Sequence, residues 1–416
     1  MGSDQQASSG AQGDQANESI WGDPQFRAYL GSTGLSGMAL AMQQLALSWI
    51  LIGILQLPAD EVGLIQALIG VPGVFLMLMG GALADRADPR NFLIGIYIIA
   101  PVFPLFLVAM DYAGWFAVWS VVIWGLGMGF VQSYSMPAQQ AILNRITGTQ
   151  VQQGVTAATA AGFVVQVVGL GLAGQIDRFG VGPVLLAQAV SIALAGWALT
   201  RVKQVPSAPA ADQASAVQRI GEGLRETFRD RVIFHVLTIN FVSSTFNAGS
   251  FMTVFPFVVK RVYDGDAFIL SMLMAVFFTG AAISNAVLLR FMPLMRPGRL
   301  FLILQLSRVI VLLMIFVKGD WWLLVLGVFG WGLNMGVTSN LARTIVQESA
   351  APAFRGRVLA VFSITMVGSA PIGAIVLGWI IESIGTLPAL LPAMLVSVVL
   401  FLYGALFSGV WGYRSG

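Results

Sequence analysis

The feature that most restricts the fold of this chain is a recurrence of long apolar segments separated by short polar loops. Each segment approaches the roughly 20 residues that an α-helix needs to cross a bilayer. Only 10% of the residues are charged, against about a quarter in soluble domains, so most of the surface must face lipid. The twelve segments lie near residues 26–53, 61–83, 91–110, 114–137, 151–174, 182–200, 232–257, 267–289, 299–317, 321–342, 357–380 and 386–408.

These segments predict helices and not the strands of a barrel. Barrel strands are segments of about ten residues in which apolar and polar side chains alternate. The segments here are continuous and rich in Leu, Ala, Met and Gly. We therefore predict an all-α polytopic membrane protein.

The distribution of basic residues predicts the orientation in the membrane. If the amino terminus is cytoplasmic, only Arg178, Lys260, Arg261 and Lys318 fall outside, and Arg308 falls within a span. The other 17 of the 22 Lys and Arg residues then lie on the cytoplasmic side. This asymmetry is typical of multi-pass membrane proteins and predicts that both termini are cytoplasmic. The basic excess is thus a sign of topology, and we expect no nucleic-acid partner.

The two halves of the chain repeat each other. Asp23 matches Asp230, and Trp124-Gly-Leu-Gly-Met-Gly matches Trp331-Gly-Leu-Asn-Met-Gly, both at an offset of 207. Asp177 and Gly180 match Glu382 and Gly385 at an offset of 205, in the same order along the chain. The sequence therefore predicts two parallel six-helix repeats, a layout in which many carriers hold a site between the halves at mid-membrane.

The domain boundaries follow from the repeat. We predict a disordered cytoplasmic tail, a first half, a cytoplasmic linker, a second half and a short cytoplasmic tail, over residues 1–22, 23–200, 201–230, 231–410 and 411–416. The linker carries an apolar stripe at Val217, Ile220, Leu224 and Phe228. Either an amphipathic helix at the lipid interface or a solvated linker helix accounts for that stripe.

The loop after the second segment reads Gly81-Ala-Leu-Ala-Asp85-Arg86-Ala-Asp88-Pro-Arg90-Asn91. It resembles the signature loop of the major facilitator superfamily, Gly-x-x-x-Asp-Arg-x-Gly-x-Arg-Arg. Asp88 and Asn91 depart from that pattern. The resemblance covers the chain from about residue 23 and implies the twelve-helix major facilitator fold.

Within the superfamily, the chain most resembles the drug:proton antiporter branch that contains macrolide and siderophore exporters. The resemblance rests on the Asp-Pro-x-Phe-Arg start at Asp23 and on Arg355-Gly-Arg357-Val, followed by Ala370-Pro-Ile-Gly. It implies a monomeric secondary transporter of the bacterial cytoplasmic (inner) membrane, with a small-molecule substrate, membrane lipid as surroundings, and protons as the coupling ion.

The resemblance also implies a conformational latch. It would join the loop of Gly81, Asp85, Arg86 and Arg90 to the start of the eleventh segment, at Arg355 and Arg357. A carboxylate at the end of a helix opposes the helix dipole, so Asp85 needs a positive partner. The alternative is that these charges only set the topology and pair locally.

Polar side chains on helical stripes predict a cavity. The resemblance places the first, fourth, seventh and tenth segments around it, and the stripes are neutral, aromatic and rich in Met, which suits an amphipathic organic compound. Helix–helix hydrogen bonding is the alternative for each single residue. With Arg308 of the ninth segment, a charge within the membrane, the predicted cavity residues are Gln43, Gln132, Asn240, Asn247, Arg308, Trp331 and Asn334.

The mechanism is less constrained than the fold. The four segments that the resemblance places at the cavity have no acid at mid-span, although proton coupling requires a titratable group. Uptake or facilitated diffusion of a neutral metabolite, and a transport-inactive receptor or lipid-handling protein, therefore stay open beside export. The motifs of nucleotide, metal and His-triad sites are lacking, so we expect no cofactor, metal site or enzymatic activity.

The latch makes the first testable prediction. The variant Asp85→Asn removes the charge of the latch and is expected to impair transport. Membrane insertion should stay normal, because the neighbouring basic residue Arg86 is retained. Transport and expression measured together check this, and normal transport at normal expression would overturn the latch.

Overall fold

A computed structural model of the chain describes residues 20–84, 88–147, 151–204, 216–292, 294–352 and 354–415. The first half contains α1 (Pro24–Ile54), α2 (Ala59–Ala84), α3 (Pro89–Tyr112), α4 (Val118–Thr147), α5 (Val151–Ala173) and α6 (Val181–Thr200). The second half contains α7 (Arg231–Val262), α8 (Ala267–Phe291), α9 (Pro297–Phe316), α10 (Trp321–Ser349), α11 (Arg355–Ile384) and α12 (Leu390–Leu406). The prediction of an all-α membrane protein with two six-helix repeats is confirmed.

Several helices are longer than the apolar segments that predicted them. The helix α4 continues to Thr147 and α10 to Ser349, whereas the apolar segments end near residues 137 and 342. The backbone hydrogen-bond ladder does not depend on side-chain polarity, so it continues where the apolar sequence stops. Polar side chains in the middle of α4, such as Gln132 and Ser135, also make this helix less apolar than its neighbours.

The repeat is visible in how the first helix of each half begins. The Asp23 side chain accepts a hydrogen bond of 2.8 Å from the Gln25 backbone N–H at the start of α1. The Asp230 side chain accepts one of 3.0 Å from the Ile233 backbone N–H at the start of α7. Each carboxylate satisfies a backbone donor that has no partner within its own helix. This shared role explains the matching positions in the sequence.

Both of these helices also end alike. The last turns of α1 (Ile50–Ile54) and α7 (Val258–Val262) are π-helical, with hydrogen bonds from residue i+5 to residue i. Such wide turns are rare and are often found at functional sites. They lie at the end of the bundle formed by the loops after α1, α3, α5, α7, α9 and α11, here called the distal end. The opposite end, where α1 begins, is called the terminal end.

The halves meet in two equivalent helix pairs. The helix α2 packs against α11, and α8 packs against α5, so that each half lends the same two helices to the contact. Within the halves, α1 packs against α5 and α6, and α9 against α10 and α12.

Glycines bring α2 and α11 close together near the distal end. A Cβ atom at Gly63 would overlap the carbonyl oxygen of Ala374, and a Cβ atom at Gly378 would overlap that of Ala59. Small residues let helix backbones approach in this way. The two halves are therefore in direct backbone contact there.

The linker contains a helix over Ala216–Arg229. Among the side chains that the structure describes in this helix, Gly223 and Thr227 are buried, and Gly223 packs against the backbone of Arg357 at the start of α11. Leu224 and Phe228 of the apolar stripe remain exposed, Phe228 at 71%. An amphipathic helix at the lipid interface stays a prediction, and Val217 and Ile220 lie among side chains that the structure does not describe.

The close approach of α2 and α11 makes a testable prediction. The variant Gly378→Ala is expected to lower the melting temperature in detergent, because the new methyl group meets the backbone of Ala59. Gly368→Ala is the matched control on the same helix, since nothing lies within 4 Å of a Cβ atom there. Without a clash, Ala is about 1 kcal/mol better than Gly inside a helix. Equal or raised melting temperatures in both variants would contradict the close contact.

Candidate functional site

Two neighbouring cavities lie between the halves. The larger, of about 390 Å³, is lined by residues of α1, α2, α4, α7, α8 and α11. The smaller, of about 260 Å³, is lined mainly by α7 to α10, with contributions from α1, α5 and α11. Gln44, Phe251 and Met252 line both. The lining comes from both repeats, so this space depends on how the halves are arranged.

The structure brings most of the predicted cavity residues to this space. Gln43 and Gln132 line the larger cavity. Asn240, Asn247, Arg308 and Trp331 line the smaller one. Asn334 is not a lining residue, because it lies behind Arg308 and binds its guanidinium. Substrate contact by these residues stays a prediction.

The lining is broader than the four helices named from the sequence. Helices α2, α5, α8, α9 and α11 also contribute, through residues such as Gln66, Gln166, Phe277, Gln305 and Met366. Of these, Gln305 had a recognisable signal. It lies three residues before Arg308, and this spacing puts both side chains on one helix face.

Arg308 is the centre of a buried polar network. It is the twelfth residue of the 20-residue helix α9 and is 3% exposed. Its Nε and Nη2 donate to Asn334 Oδ1 at 3.3 and 3.1 Å. Its Nη1 donates to Gln305 Oε1 at 3.1 Å and to Ser243 Oγ. Three helices of the second half, α7, α9 and α10, thus hold the guanidinium in place.

The network is fixed from behind. The Asn334 side-chain amide donates to the Leu304 carbonyl oxygen at 2.7 Å and to Ser307 Oγ at 2.9 Å. The Ser243 hydroxyl donates to Gln305 Oε1 at 3.0 Å. These bonds determine which end of each amide faces the arginine, so the arrangement around Arg308 is preorganised.

Aromatic rings form the neighbouring wall. Phe251 stacks on Phe277 with 4.1 Å between ring centroids, and Trp331 meets both rings edge-on. Phe278 completes this aromatic wall, and the Trp331 indole N–H donates to Asn247 Oδ1. Edge-on and stacked contacts of this kind favour a defined arrangement of rings. The smaller cavity therefore has one polar, positively charged side and one aromatic side.

At the distal end, each half contributes a carboxylate that binds a helix of the other half. Asp177, which follows α5, accepts hydrogen bonds from the Trp49 indole N–H at 2.6 Å and from the backbone N–H of Ala267 at 2.9 Å. Ala267 is the first residue of α8, in the other half. Asp177 thus satisfies a free backbone donor at the positive end of a helix dipole.

Glu382, the repeat partner of Asp177, makes the equivalent contact in the opposite direction. At the end of α11 it accepts a hydrogen bond of 2.7 Å from the backbone N–H of Ala59, the first residue of α2. It also forms an ion pair with Arg261 at 3.0 Å. Three residues after each carboxylate lies a glycine with a positive φ angle, Gly180 after Asp177 and Gly385 after Glu382. The repeat therefore preserves a contact between the halves.

The predicted latch at the terminal end is only partly described. Gly81 lies in the last turn of α2, whereas Asp85 and Arg86 fall outside the described residues. Arg90 donates to the Thr200 carbonyl oxygen at 2.8 Å and to Asn91 Oδ1, so it joins α3 to the end of α6. These contacts of Arg90 stay within the first half.

The other side of the predicted latch contacts the linker. Arg355 begins α11, and Arg357 forms an ion pair of 2.8 Å with Glu222 of the linker helix. Arg357 also lies over the Phe354 ring. A contact from these arginines to Asp85 stays a prediction.

Acidic side chains are absent from the lining of both cavities, as far as the described residues extend. His235, the single histidine, lies near the start of α7 and is 2.6 Å from the Tyr403 hydroxyl oxygen through Nδ1. Its partner is on α12, away from the cavities. The described cavities thus contain a fixed positive charge and no titratable acid.

Comparisons with known proteins identify the fold and the family. A family model described as transmembrane secretion effector matches residues 22–409. No curated protein sequence matches the chain significantly. Among solved structures, the nucleoside transporter NupG is 14% identical with a TM-score of 0.78, over 93% of this chain and 99% of that chain.

Two further structures show the same similarity in fold. One is a bacterial homologue of the human lysosomal transporter Spinster, inward-facing and unoccupied, at 13% identity and a TM-score of 0.63, over 94% of this chain and 96% of that chain. Another is a POT family transporter in complex with 5-aminolevulinic acid, at 12% identity and a TM-score of 0.72, over 94% of this chain and 99% of that chain. Together with the family model, they confirm the superfamily that the Gly81–Asn91 loop indicates. The chain belongs to the transmembrane secretion effector family of major facilitator superfamily transporters.

Proposed function

We propose that this protein exports a small amphipathic organic compound across a bacterial cytoplasmic membrane by alternating access. The observation that carries the proposal is the cavity space between the two halves, lined by both repeats. A site in this position can be exposed to either side when the halves tilt. Export is the direction favoured by the resemblance to macrolide and siderophore exporters.

The lining supports an amphipathic substrate. The larger cavity combines amide side chains such as Gln43, Gln44 and Gln132 with Met136, Met252 and Phe251. Methionine side chains adapt to irregular apolar groups, while the amides supply a few directed hydrogen bonds. Such a lining suits one apolar body with a small number of polar groups.

The contacts at the distal end support alternating access. If both termini are cytoplasmic, the distal end faces outward, and the exchanged contacts of Asp177 and Glu382 close the cavity on that side. Gln66 of α2 adds a third contact between the halves, since it accepts a 2.8 Å hydrogen bond from the Thr253 hydroxyl of α7. Release to the outside would require these contacts to break.

The neutral character of the lining favours one alternative. Without an acid in the described cavities, coupling to protons has no evident titratable group there. Facilitated diffusion of a neutral metabolite is therefore the second candidate function. Both candidates predict movement of a solute, and they differ in their response to a proton gradient.

The proposal is tested with the purified protein in liposomes and a panel of small amphipathic compounds, with and without a pH gradient. We expect protein-dependent movement that a gradient drives against the concentration of the solute. Equilibration that ignores the gradient would replace export by facilitated diffusion. Failure to move any compound would contradict transport and favour a receptor or lipid-handling role.

A matched pair of variants links this movement to the cavities. Met252 lines both of them, and Met272 of α8 is 52% exposed on the outer surface. We expect Met252→Trp to lower the transport rate to that of empty liposomes, because the larger ring fills the junction of the two cavities. Met272→Trp should transport normally, and equal rates in the two variants would place the route elsewhere.

A further inference from the structure

Arg308 is a buried positive charge whose partners are all neutral. The ion pairs among the described residues join Arg261 to Glu382 and Arg357 to Glu222, and neither involves Arg308. A charge at the middle of a membrane helix is costly and is almost always paired or functional. The neutral acceptors around Arg308 orient the guanidinium but do not neutralise it.

The site also has more hydrogen-bond donors than acceptors. A guanidinium has five N–H groups, and the bonds to Asn334, Gln305 and Ser243 use four of them. The Gln305 oxygen accepts from Arg308 and Ser243, so its amide nitrogen is the free end, and that nitrogen is buried without a partner. The Asn240 amide nitrogen, one helical turn from Ser243, is also buried and unpaired.

The unpaired groups are therefore all donors, and they line one cavity. Gln305 is 0% exposed, Arg308 3% and Asn240 6%, so bulk solvent does not satisfy these donors. A buried polar group without a partner costs free energy unless a ligand or water satisfies it. The ligand that satisfies three donors and a positive charge together is an anion with at least two acceptor oxygens.

The aromatic wall of Phe251, Phe277, Phe278 and Trp331 lines the same cavity and determines which chemical group the rest of the ligand can have. Desolvated rings and Met335 suit an apolar or aromatic body. A polyanion would need several basic side chains, and Arg308 is the one basic residue that lines this cavity among the described residues. The ligand should thus carry a single negative charge.

We propose that the smaller cavity binds an amphipathic organic monoanion, with its carboxylate on Arg308 and its apolar body on the aromatic wall. This inference rests on the proposed transport function and names the substrate class of the same cavity. A carboxylate matches the planar geometry of a guanidinium and forms strong charge-assisted hydrogen bonds with it. The incoming carboxylate supplies the negative charge that the described protein lacks at this position.

The test is equilibrium binding to the full chain in lipid nanodiscs, with empty nanodiscs to subtract partition into lipid. The probes are carboxylates from benzoate and 2-naphthoate to palmitate, each compared with its neutral primary amide. We expect the wild-type protein to bind a carboxylate about 10 to 100 times more tightly than the matching amide, the usual value of a hydrogen bond to a charged group. Equal affinity for acid and amide across the panel would overturn the proposal.

Three variants assign the preference to Arg308. Arg308→Gln should abolish the preference for carboxylates over amides. Gln305→Glu should abolish it as well, because the new carboxylate, which has nearly the shape of the amide, forms an ion pair with the Arg308 guanidinium. Gln305→Glu keeps the test decisive if Arg308→Gln does not fold, as judged by thermal melting. Arg290→Gln removes an exposed positive charge at the terminal end of α8 and should keep the preference. A preference that persists in folded Gln305→Glu and Arg308→Gln would contradict the assignment.

The panel also separates the possible sources of the anion, and it distinguishes failure of the binding site from failure of the proposed transport function. Tightest binding of short aryl carboxylates would indicate a soluble metabolite, and tightest binding of palmitate a membrane lipid, and both agree with the proposed chemistry. Binding selectivity without transport would overturn the proposed function and leave this site intact. Transport of neutral compounds without any preference for carboxylates would do the reverse.

Discussion

The arrangement of the two halves depends on two carboxylates, one from each half, that bind the start of a helix in the other half. Asp177 binds the first backbone N–H of α8, and Glu382 binds the first backbone N–H of α2. The first N–H groups of a helix have no partner inside that helix, and the helix dipole places partial positive charge there. Each half thus completes a helix of the other half. These contacts, with the glycine contacts of α2 and α11, hold the distal ends together beyond the cavities.

The same logic of unsatisfied groups governs the interior. In lipid, backbone groups are satisfied within helices, so the chain has few ways to fold other than a helical bundle. Polar side chains then need partners as well, and around Arg308 the amide and hydroxyl groups supply oriented acceptors. What remains unsatisfied at that position is a positive charge and a set of donors facing a cavity. Around Arg308, side chains supply the acceptors that orient the guanidinium, and the negative charge is left for a ligand to supply.

The sequence predicted the fold well because its signals are periodic and long. Apolar segments, basic loops and the repeat markers each constrain many residues at once, and the twelve helices follow them. It predicted the cavity partly. Polar residues on α1, α4, α7 and α10 were found, and the spacing of Gln305 from Arg308 was a usable signal on α9, but Gln66 and Gln166 lie on helices that have no polar stripe to distinguish them.

Contacts between distant parts of the chain were the least predictable. Asp177 and Glu382 were recognised as matching positions, yet their partners, Ala267 and Ala59, bind through backbone atoms and leave no mark in the sequence. The ion pair between Arg357 and Glu222 of the linker helix was also not predictable, because the position of that helix depends on the packing of Gly223 against α11. The repeat nevertheless contained a usable signal, because a carboxylate kept in both halves is more informative than one that occurs once.

Distances between spin labels test most directly whether the contacts of Asp177 and Glu382 hold the distal end closed. The chain has no cysteine, so labels can be placed at Asp60→Cys and Ser383→Cys across the distal end, and at Asn144→Cys and Gln347→Cys across the terminal end. The double variant Asp177→Ala and Glu382→Ala removes both carboxylate contacts. Each lost contact should destabilise the closed state by about 1 kcal/mol, which lowers its population relative to the open state about fivefold. We expect longer distal distances and shorter terminal distances in the double variant. Distal distances that do not change while the variant stays folded would contradict this expectation.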